Sequence, residues 1–213
     1  TLLDNASFPW LTGQVCEVGM ATDVYVLRVN FVGSLGWELH FPIEYAHHLF
    51  EALFKAGAEF GIGMAGMRAM ESLRMEKSYR MWGSDLTRDY TPFEAGLDRF
   101  VRMNKGDFIG KAAVEKQLAA GVPHRFITLE VHGVTDADPL GNEPLFAADG
   151  RIVGRATAGY YGHVLQKSLA IGYIAPEFAE VGTELAIEIL GERKRATVVV
   201  ESPYDPANAD LRA

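Results

Sequence analysis

The stretch from Phe31 to Tyr79 constrains this chain more than any other part of it. Upstream, Val24, Val26, Arg28 and Asn30 mark an alternating strand. It runs into Phe31-Val32-Gly33-Ser34-Leu35-Gly36-Trp37-Glu38-Leu39, where two glycines punctuate a tight turn, and a second strand follows over Trp37–Phe41. Glycine allows a positive φ and lets a flat ligand come close to the main chain. Glu38 sits just past the turn, between Trp37 and Leu39. Local chemistry leaves two roles open for it: a solvated strand residue, or an acceptor aimed into a pocket. His40 shares its strand face, by the period of two.

Before the hairpin, Thr1 to Met20 reads as a lead-in segment with Phe8-Pro9-Trp10 as an apolar anchor and Gly13 as a break. After it, Pro42 opens a helix whose apolar positions Ala46, Leu49, Phe50, Leu53 and Phe54 form one stripe. His47 and His48 fall mainly off that stripe and read as solvent-facing; neighbouring histidines on a helix converge poorly on one ion. Gly57, Gly61 and Gly63 end the helix. A second helix spans about Gly66 to Tyr79, with Met64, Met67, Met70 and Leu73 on its apolar side. Glu71, Arg74 and Lys77 are spaced as helical charge pairs, each contributing a few tenths of a kcal/mol. Thr91-Pro92-Phe93-Glu94 has the form of a capping box that starts a short turn ending near Gly96.

Composition shifts at Asn104-Lys105-Gly106, which divides the chain into residues 1–103 and 104–213. A short helix, Lys111 to Ala120, precedes short strands at Arg125–Val131, Pro144–Phe146, Arg151–Thr157, Leu169–Ile174, Leu185–Leu190 and Arg195–Val200. Asp149-Gly150 and Gly191-Glu192 are hairpin turns, and Arg193-Lys194-Arg195 is a solvated hairpin tip. Short strands with glycine punctuation suggest a small antiparallel barrel or sandwich. Pro203 to Ala213 is expected to lie along the surface.

Several function classes are disfavoured. A net charge of −8 leaves no basic surplus for nucleic acid. Cys16 is the single cysteine, so no intrachain disulfide, zinc or iron–sulfur framework can form from cysteines, and a reducing compartment is the natural reading. No apolar run is long enough to span a bilayer. Hydrolase elbows, phosphate-binding loops and His-Glu-x-x-His are missing, and Gly33 and Gly36 do not make a dinucleotide fingerprint.

The Phe31–Glu38 turn resembles the Tyr-x-Gly-x-x-Gly-aromatic-Glu turn of the glycine-cleavage T-protein (aminomethyltransferase) superfamily. Ser72-Leu73-Arg74-Met75-Glu76-Lys77-Ser78-Tyr79-Arg80 and Trp82-Gly83-Ser84-Asp85-Leu86-Thr87 are most similar to the folate-binding C-terminal region of dimethylglycine and sarcosine dehydrogenases and oxidases. Similarity continues in collinear order through Thr91-Pro92-Phe93-Glu94-Ala95-Gly96-Leu97, Asp107-Phe108-Ile109-Gly110-Lys111 and Lys167-Ser168-Leu169-Ala170-Ile171-Gly172-Tyr173.

This resemblance implies an α+β fold. Residues 1–103 would be the C-terminal half of a ferredoxin-like folate-binding domain, and residues 104–213 a small antiparallel Greek-key β-barrel. It implies tetrahydrofolate as cofactor, a methylated-amine donor, and FAD only where a domain upstream carries it. Glu38 would be the carboxylate that accepts the pterin's amino-pyrimidinone edge, Tyr79 a tyrosine beside the folate, and His40 a lining residue. Phe31 stands where the family commonly has tyrosine, keeping the aromatic face and losing the hydroxyl.

Two departures refine that picture. Met70-Glu71 stands where T-proteins proper have Arg-Asp, so Met70 cannot clamp the folate's carboxylate tail and the methylglycine-dehydrogenase branch fits better. Lys105-Gly106-Asp107 lacks the cysteine of the iron–sulfur-assembly cousins. The aspartate that such sites place beside the reactive folate nitrogen belongs to an upstream half, so this chain carries no catalytic residue of its own. The expected missing partner is that N-terminal half or a flavin domain, in the cytoplasm or, in a eukaryote, the mitochondrial matrix. Nucleic acid and membrane are not expected partners. The rival readings are a stand-alone aminomethyltransferase acting on another methylated donor and a non-catalytic folate-fold interaction module.

Overall fold

The computed structural model describes residues 3–134 and 137–213, so Thr1 and Leu2 of the lead-in segment lie outside the described residues. The chain forms two compact units, Thr1–Glu71 with Asp205–Ala213, and Ser72–Tyr204.

The first unit is built on a three-stranded antiparallel sheet of β1 (Gly13–Val18), β2 (Ala21–Leu27) and β3 (Glu38–His40), in the order β1-β2-β3. Val24 and Val26 point inward and join Phe8, Ala21 and Leu49 in its core, so the apolar anchor is borne out at Phe8. Tyr25 pairs with His40, Val26 with Leu39 and Leu27 with Glu38. The hairpin is therefore present, but its connection, Arg28 to Trp37, is a longer loop than the tight turn expected. Asn30 organises it by accepting from the N–H groups of Val32 and Gly33 at 3.0 and 2.8 Å, an Asx turn, with Gly33 at φ 80°.

Strand β1 escaped the sequence reading because its period is masked. Gln14 turns inward and bonds Ser7 O through Nε2 at 2.6 Å, while Val15 is exposed. Gly13 is not a break but the first residue of β1, where a Cβ would meet the Tyr25 hydroxyl at 2.6 Å.

Helix α1 (Ala46–Gly57) follows a short 3-10 turn, Ile43–Tyr45, that starts after Pro42. Of the expected stripe only Leu49 is fully buried; Phe50 and Leu53 are exposed. His48 is not simply solvent-facing: its Nε2 accepts from Met20 N at 2.8 Å and ties α1 to the β1–β2 turn. His47 faces Glu51 at 3.3 Å on the exposed side. The tail lies along the surface for most of its length, as expected, and is pinned there at a few points. Leu211 is buried, Asn5 Nδ2 bonds Arg212 O, and Arg28 donates to Phe8 O at 2.7 Å and Ala213 O at 3.1 Å.

Helix α2 (Met67–Glu76) crosses the division between the units. Its methionine side is not the buried one: Met64 and Met67 are exposed, and Ser72, Arg74, Met75 and Glu76 are buried instead. The expected surface charge pairs are overturned for Arg74 and Lys77, each 1% exposed. Arg74 meets Asp85, and Lys77 Nζ donates to Tyr204 O at 3.1 Å. Glu76 Oε1 accepts the N–H groups of Val164 and Leu165 at 2.8 and 2.9 Å. These long side chains replace apolar filler because they satisfy backbone groups that no strand partner reaches.

The second unit is a closed barrel of six antiparallel strands, preceded by helix α3 (Lys111–Ala120), as expected. The strands are β4 (Arg125–Val131), β5 (Pro144–Phe146), β6 (Ile152–Gly162), β7 (Lys167–Ile174), β8 (Glu184–Ile189) and β9 (Glu192–Val199). Around the barrel they run β4-β7-β6-β5-β8-β9. Three strands joined in succession, β5 to β7, return β7 beside β4, which is the Greek-key pattern. Leu129, Val131, Leu145, Ile174, Ile187 and Val198 fill the interior. The β8–β9 turn is Leu190-Gly191, both with positive φ, one residue earlier than expected. Arg193-Lys194-Arg195 is accordingly part of β9 and not a tip; Lys194 pairs with Ile187.

The capping box at Thr91 is reciprocal. Glu94 Oε2 accepts from Thr91 N at 2.9 Å, and Glu94 N donates to Thr91 Oγ1 at 3.3 Å. Glu94 also meets His124 Nδ1 at 2.8 Å and Gln117 Nε2 at 3.2 Å. Burial alone would raise its carboxyl pKa, but these hydrogen bonds outweigh it and hold the value below the ordinary 4.5. A depressed carboxylate stabilises the fold above the unfolded-state pKa and loses that contribution as pH falls through the folded value. The urea midpoint of Glu94→Gln is therefore expected to lie below that of the parent at pH 7 and to approach it as the pH falls below the ordinary carboxylate value. A gap that stays constant from pH 7 to pH 3 would contradict this.

Candidate functional site

Pairing of Leu27 with Glu38 and of Tyr25 with His40 puts Tyr25, Glu38 and His40 on one face of the first unit's sheet. Glu38 Oε2 lies 3.4 Å from His40 Nε2, and both side chains are about half exposed. Tyr25 and His40 have ring centroids 6.5 Å apart. The structure thus brings Glu38 and His40 together, as the strand period implies, and adds Tyr25. That third residue was readable: with Val24 and Val26 inward, Tyr25 had to point the other way. No lysine or arginine pairs with the Glu38 carboxylate among the described residues. Phe31 is half-buried in the loop ordered by Asn30.

Behind this face the sheet's other side carries an open apolar groove of about 640 Å³, lined by Cys16, Val18, Val26, Trp37, Leu39 and Leu53. Among the described residues the buried Trp37 indole N–H has no hydrogen-bond partner, nor has Nε of Arg28, whose guanidinium carbon lies 5.8 Å from the Trp37 ring centre.

Tyr79 belongs to the second unit and is half-buried just past the end of α2. Its backbone is held at both ends by Arg74: Tyr79 N donates to Arg74 O at 3.0 Å, and Arg74 Nη1 donates to Tyr79 O at 2.9 Å. Arg74 Nη1 also meets Asp85 Oδ2 at 2.6 Å, with the two side chains 2% and 0% exposed. Asp85 further accepts from Met81 N at 2.8 Å and Thr157 Oγ1 at 2.5 Å. Tyr173 donates to the Asp85 carbonyl at 2.8 Å and stacks on Tyr90 with centroids 3.5 Å apart. Burial above all pushes the Tyr173 phenol up; Arg80 opposes this, while Asp85, Tyr90 and Glu94 add to it. Sequence reasoning missed the role of Asp85; its only signal was the short Trp82–Thr87 loop, whose Gly83 has φ 90°.

Two family models match the chain in order. The GCVT N-terminal domain matches residues 1–105, and the glycine cleavage T-protein C-terminal barrel domain matches residues 124–205. The chain belongs to the glycine-cleavage T-protein superfamily. Among T-protein relatives, it is 41% identical over 192 residues to mitochondrial dimethylglycine dehydrogenase of Mus musculus, covering 89% of this chain and 22% of that protein. Mitochondrial sarcosine dehydrogenase of the same organism is 36% identical over 219 residues, covering 99% of this chain and 23% of that protein. Among solved structures, aminomethyltransferase T of the glycine cleavage system from Bartonella henselae superposes with a TM-score of 0.82 at 26% identity. That match covers 92% of this chain and 53% of the other. The chain therefore spans less than a quarter of either dehydrogenase and about half of the aminomethyltransferase.

Proposed function

We propose that this chain is the tetrahydrofolate-binding part of a one-carbon-transfer enzyme of the dimethylglycine or sarcosine dehydrogenase kind, whose product is methylene-tetrahydrofolate. The observation that carries this is Glu38, a half-exposed carboxylate next to the Asn30 loop with His40 beside it and, among the described residues, no lysine or arginine paired with it. A pterin's amino-pyrimidinone edge offers two adjacent N–H donors, and an accessible carboxylate accepts both at once. Tyr25 and His40 on the same face fit as lining groups; Phe31 and Tyr79 are assigned aromatic contacts by the family resemblance alone. Folate supplies the nitrogens that receive the one-carbon unit; the protein's share is binding and orientation.

In this reading residues 1–103 form the folate-binding portion and residues 104–213 the barrel portion. The chain covers about half of the aminomethyltransferase it superposes on; in this reading an N-terminal half would complete the folate site. A flavin domain upstream would oxidise the methylated glycine that donates the carbon. In a eukaryote the compartment would be the mitochondrial matrix; both dehydrogenases are named as mitochondrial.

Calorimetric titration with tetrahydrofolate, on this chain and on the full-length protein, tests the reading. Binding by the full-length protein is expected, and Glu38→Gln is expected to weaken it by about 1–3 kcal/mol, the scale of losing a charged acceptor. Unchanged affinity would remove Glu38 from the site. No binding by either protein would favour a non-catalytic interaction module.

A further inference from the structure

The peptide that carries Tyr79 is fixed from more directions than a helix end requires. Arg74 closes a ring with it through two reciprocal hydrogen bonds, Tyr79 N to Arg74 O and Arg74 Nη1 to Tyr79 O. The same Nη1 is drawn to Asp85 Oδ2, and Asp85 is in turn held by Met81 N and Thr157 Oγ1. Ser78, one residue before, sits at φ 55°, a conformation that a non-glycine residue keeps only when its surroundings enforce it. They do: Ser78 Oγ meets Thr128 Oγ1 at 2.7 Å and accepts from Ser202 N at 2.9 Å. A buried guanidinium anchored at one end by a carboxylate has little rotamer freedom left, so the carbonyl it grips is placed with it.

We propose that Arg74, oriented by Asp85 and Thr157, is a positioning residue that sets the place of Tyr79 for folate. The inference rests on the assignment of Tyr79 to the folate site in the proposed function. Arg74 acts through Tyr79 and does not itself touch the ligand. Its neighbour Lys77, equally buried, serves a different end, since it binds Tyr204 O.

Two measurements test this. In the first, Tyr79 is replaced by 3-fluorotyrosine in this chain and its ¹⁹F resonance is compared with and without Arg74→Lys. Thr157→Val, which removes one hydrogen bond from Asp85 and leaves the ion pair, serves as the milder second variant. A shifted or broadened resonance is expected in both. An unchanged resonance in a folded variant would overturn the positioning role whatever the ligand turns out to be.

The second measurement is a double-mutant cycle on tetrahydrofolate affinity in the full-length protein. Arg74→Lys is expected to weaken binding about tenfold when Tyr79 is present and less than about twofold in the Tyr79→Ala background. Equal losses in both backgrounds would mean a general structural effect and would overturn the proposal. A full-length protein that binds no tetrahydrofolate overturns the folate reading itself, while the resonance still decides whether Arg74 places Tyr79.

Discussion

Replacing Asp85 by alanine is expected to lower the stability of the Ser72–Tyr204 unit by about 3–5 kcal/mol, the cost of leaving a buried charge unpaired. The Arg74 and Asp85 side chains are 2% and 0% exposed and 2.6 Å apart, so water cannot take the place of the lost carboxylate. Met81 N and Thr157 Oγ1 lose their acceptor in the same step. Urea denaturation followed by circular dichroism measures the loss, and a change below about 1 kcal/mol would show that the pair is not the anchor its burial implies. The apolar double substitution Arg74→Met with Asp85→Leu is expected to cost less than Asp85→Ala alone, because it removes both charges together. That comparison separates the penalty of an orphaned cation from the net worth of the pair.

The residues in this anchor mark the boundary of what the sequence could reveal. Barrel strands were legible because alternation and turn chemistry are local: β4 and β5 fall at their expected bounds, and Asp149-Gly150 turns where it should. The α2 segment was not legible in the same way. Helical spacing in Met64, Met67, Met70 and Leu73 favoured an apolar side, yet the buried side holds Ser72, Arg74 and Glu76. Their partners, Tyr161 O, Asp85 and the Val164 and Leu165 amides, lie far away in sequence. A charged residue's burial is decided by whether such partners exist, and no local pattern contains that information.

At the candidate site the strand period sufficed to group Glu38 with His40, since both facts sit within three residues. The groove beside Trp37 was not foreseeable, because β1 hides its alternation behind an inward Gln14 and an outward Val15. Resemblance carried what periodicity could not. The Ala170-Ile171-Gly172-Tyr173 segment entered the comparison as a family motif, and the structure gives its glycine a physical reason.

That reason leads to the second large effect. Gly172 lies in β7 between two neighbours, paired with Ile127 of β4 on one side and Ala156 of β6 on the other. A Cβ at position 172 would overlap the carbonyl oxygen of Arg155 and stand 2.7 Å from the Ala156 Cα. Both are backbone atoms, so no rotamer change can relieve the contact, and β6 would have to leave the ladder. Gly154 meets the mirror-image constraint against the Tyr173 carbonyl and Ile174 Cα, so β6 and β7 approach each other closely at two points. Overpacking against side chains costs about 1–3 kcal/mol; against a central strand's backbone the loss should exceed that range. Gly172→Val is therefore expected to yield a chain without a cooperative barrel transition in urea, and Gly172→Ala one destabilised by about 3 kcal/mol or more. Gly106 supplies the control, since a Cβ there meets nothing within 4 Å, and Gly106→Ala should stay within about 0.5 kcal/mol of the parent. A Gly172→Val protein that keeps the parent's midpoint would mean that β6 and β7 do not pack as closely as their register requires.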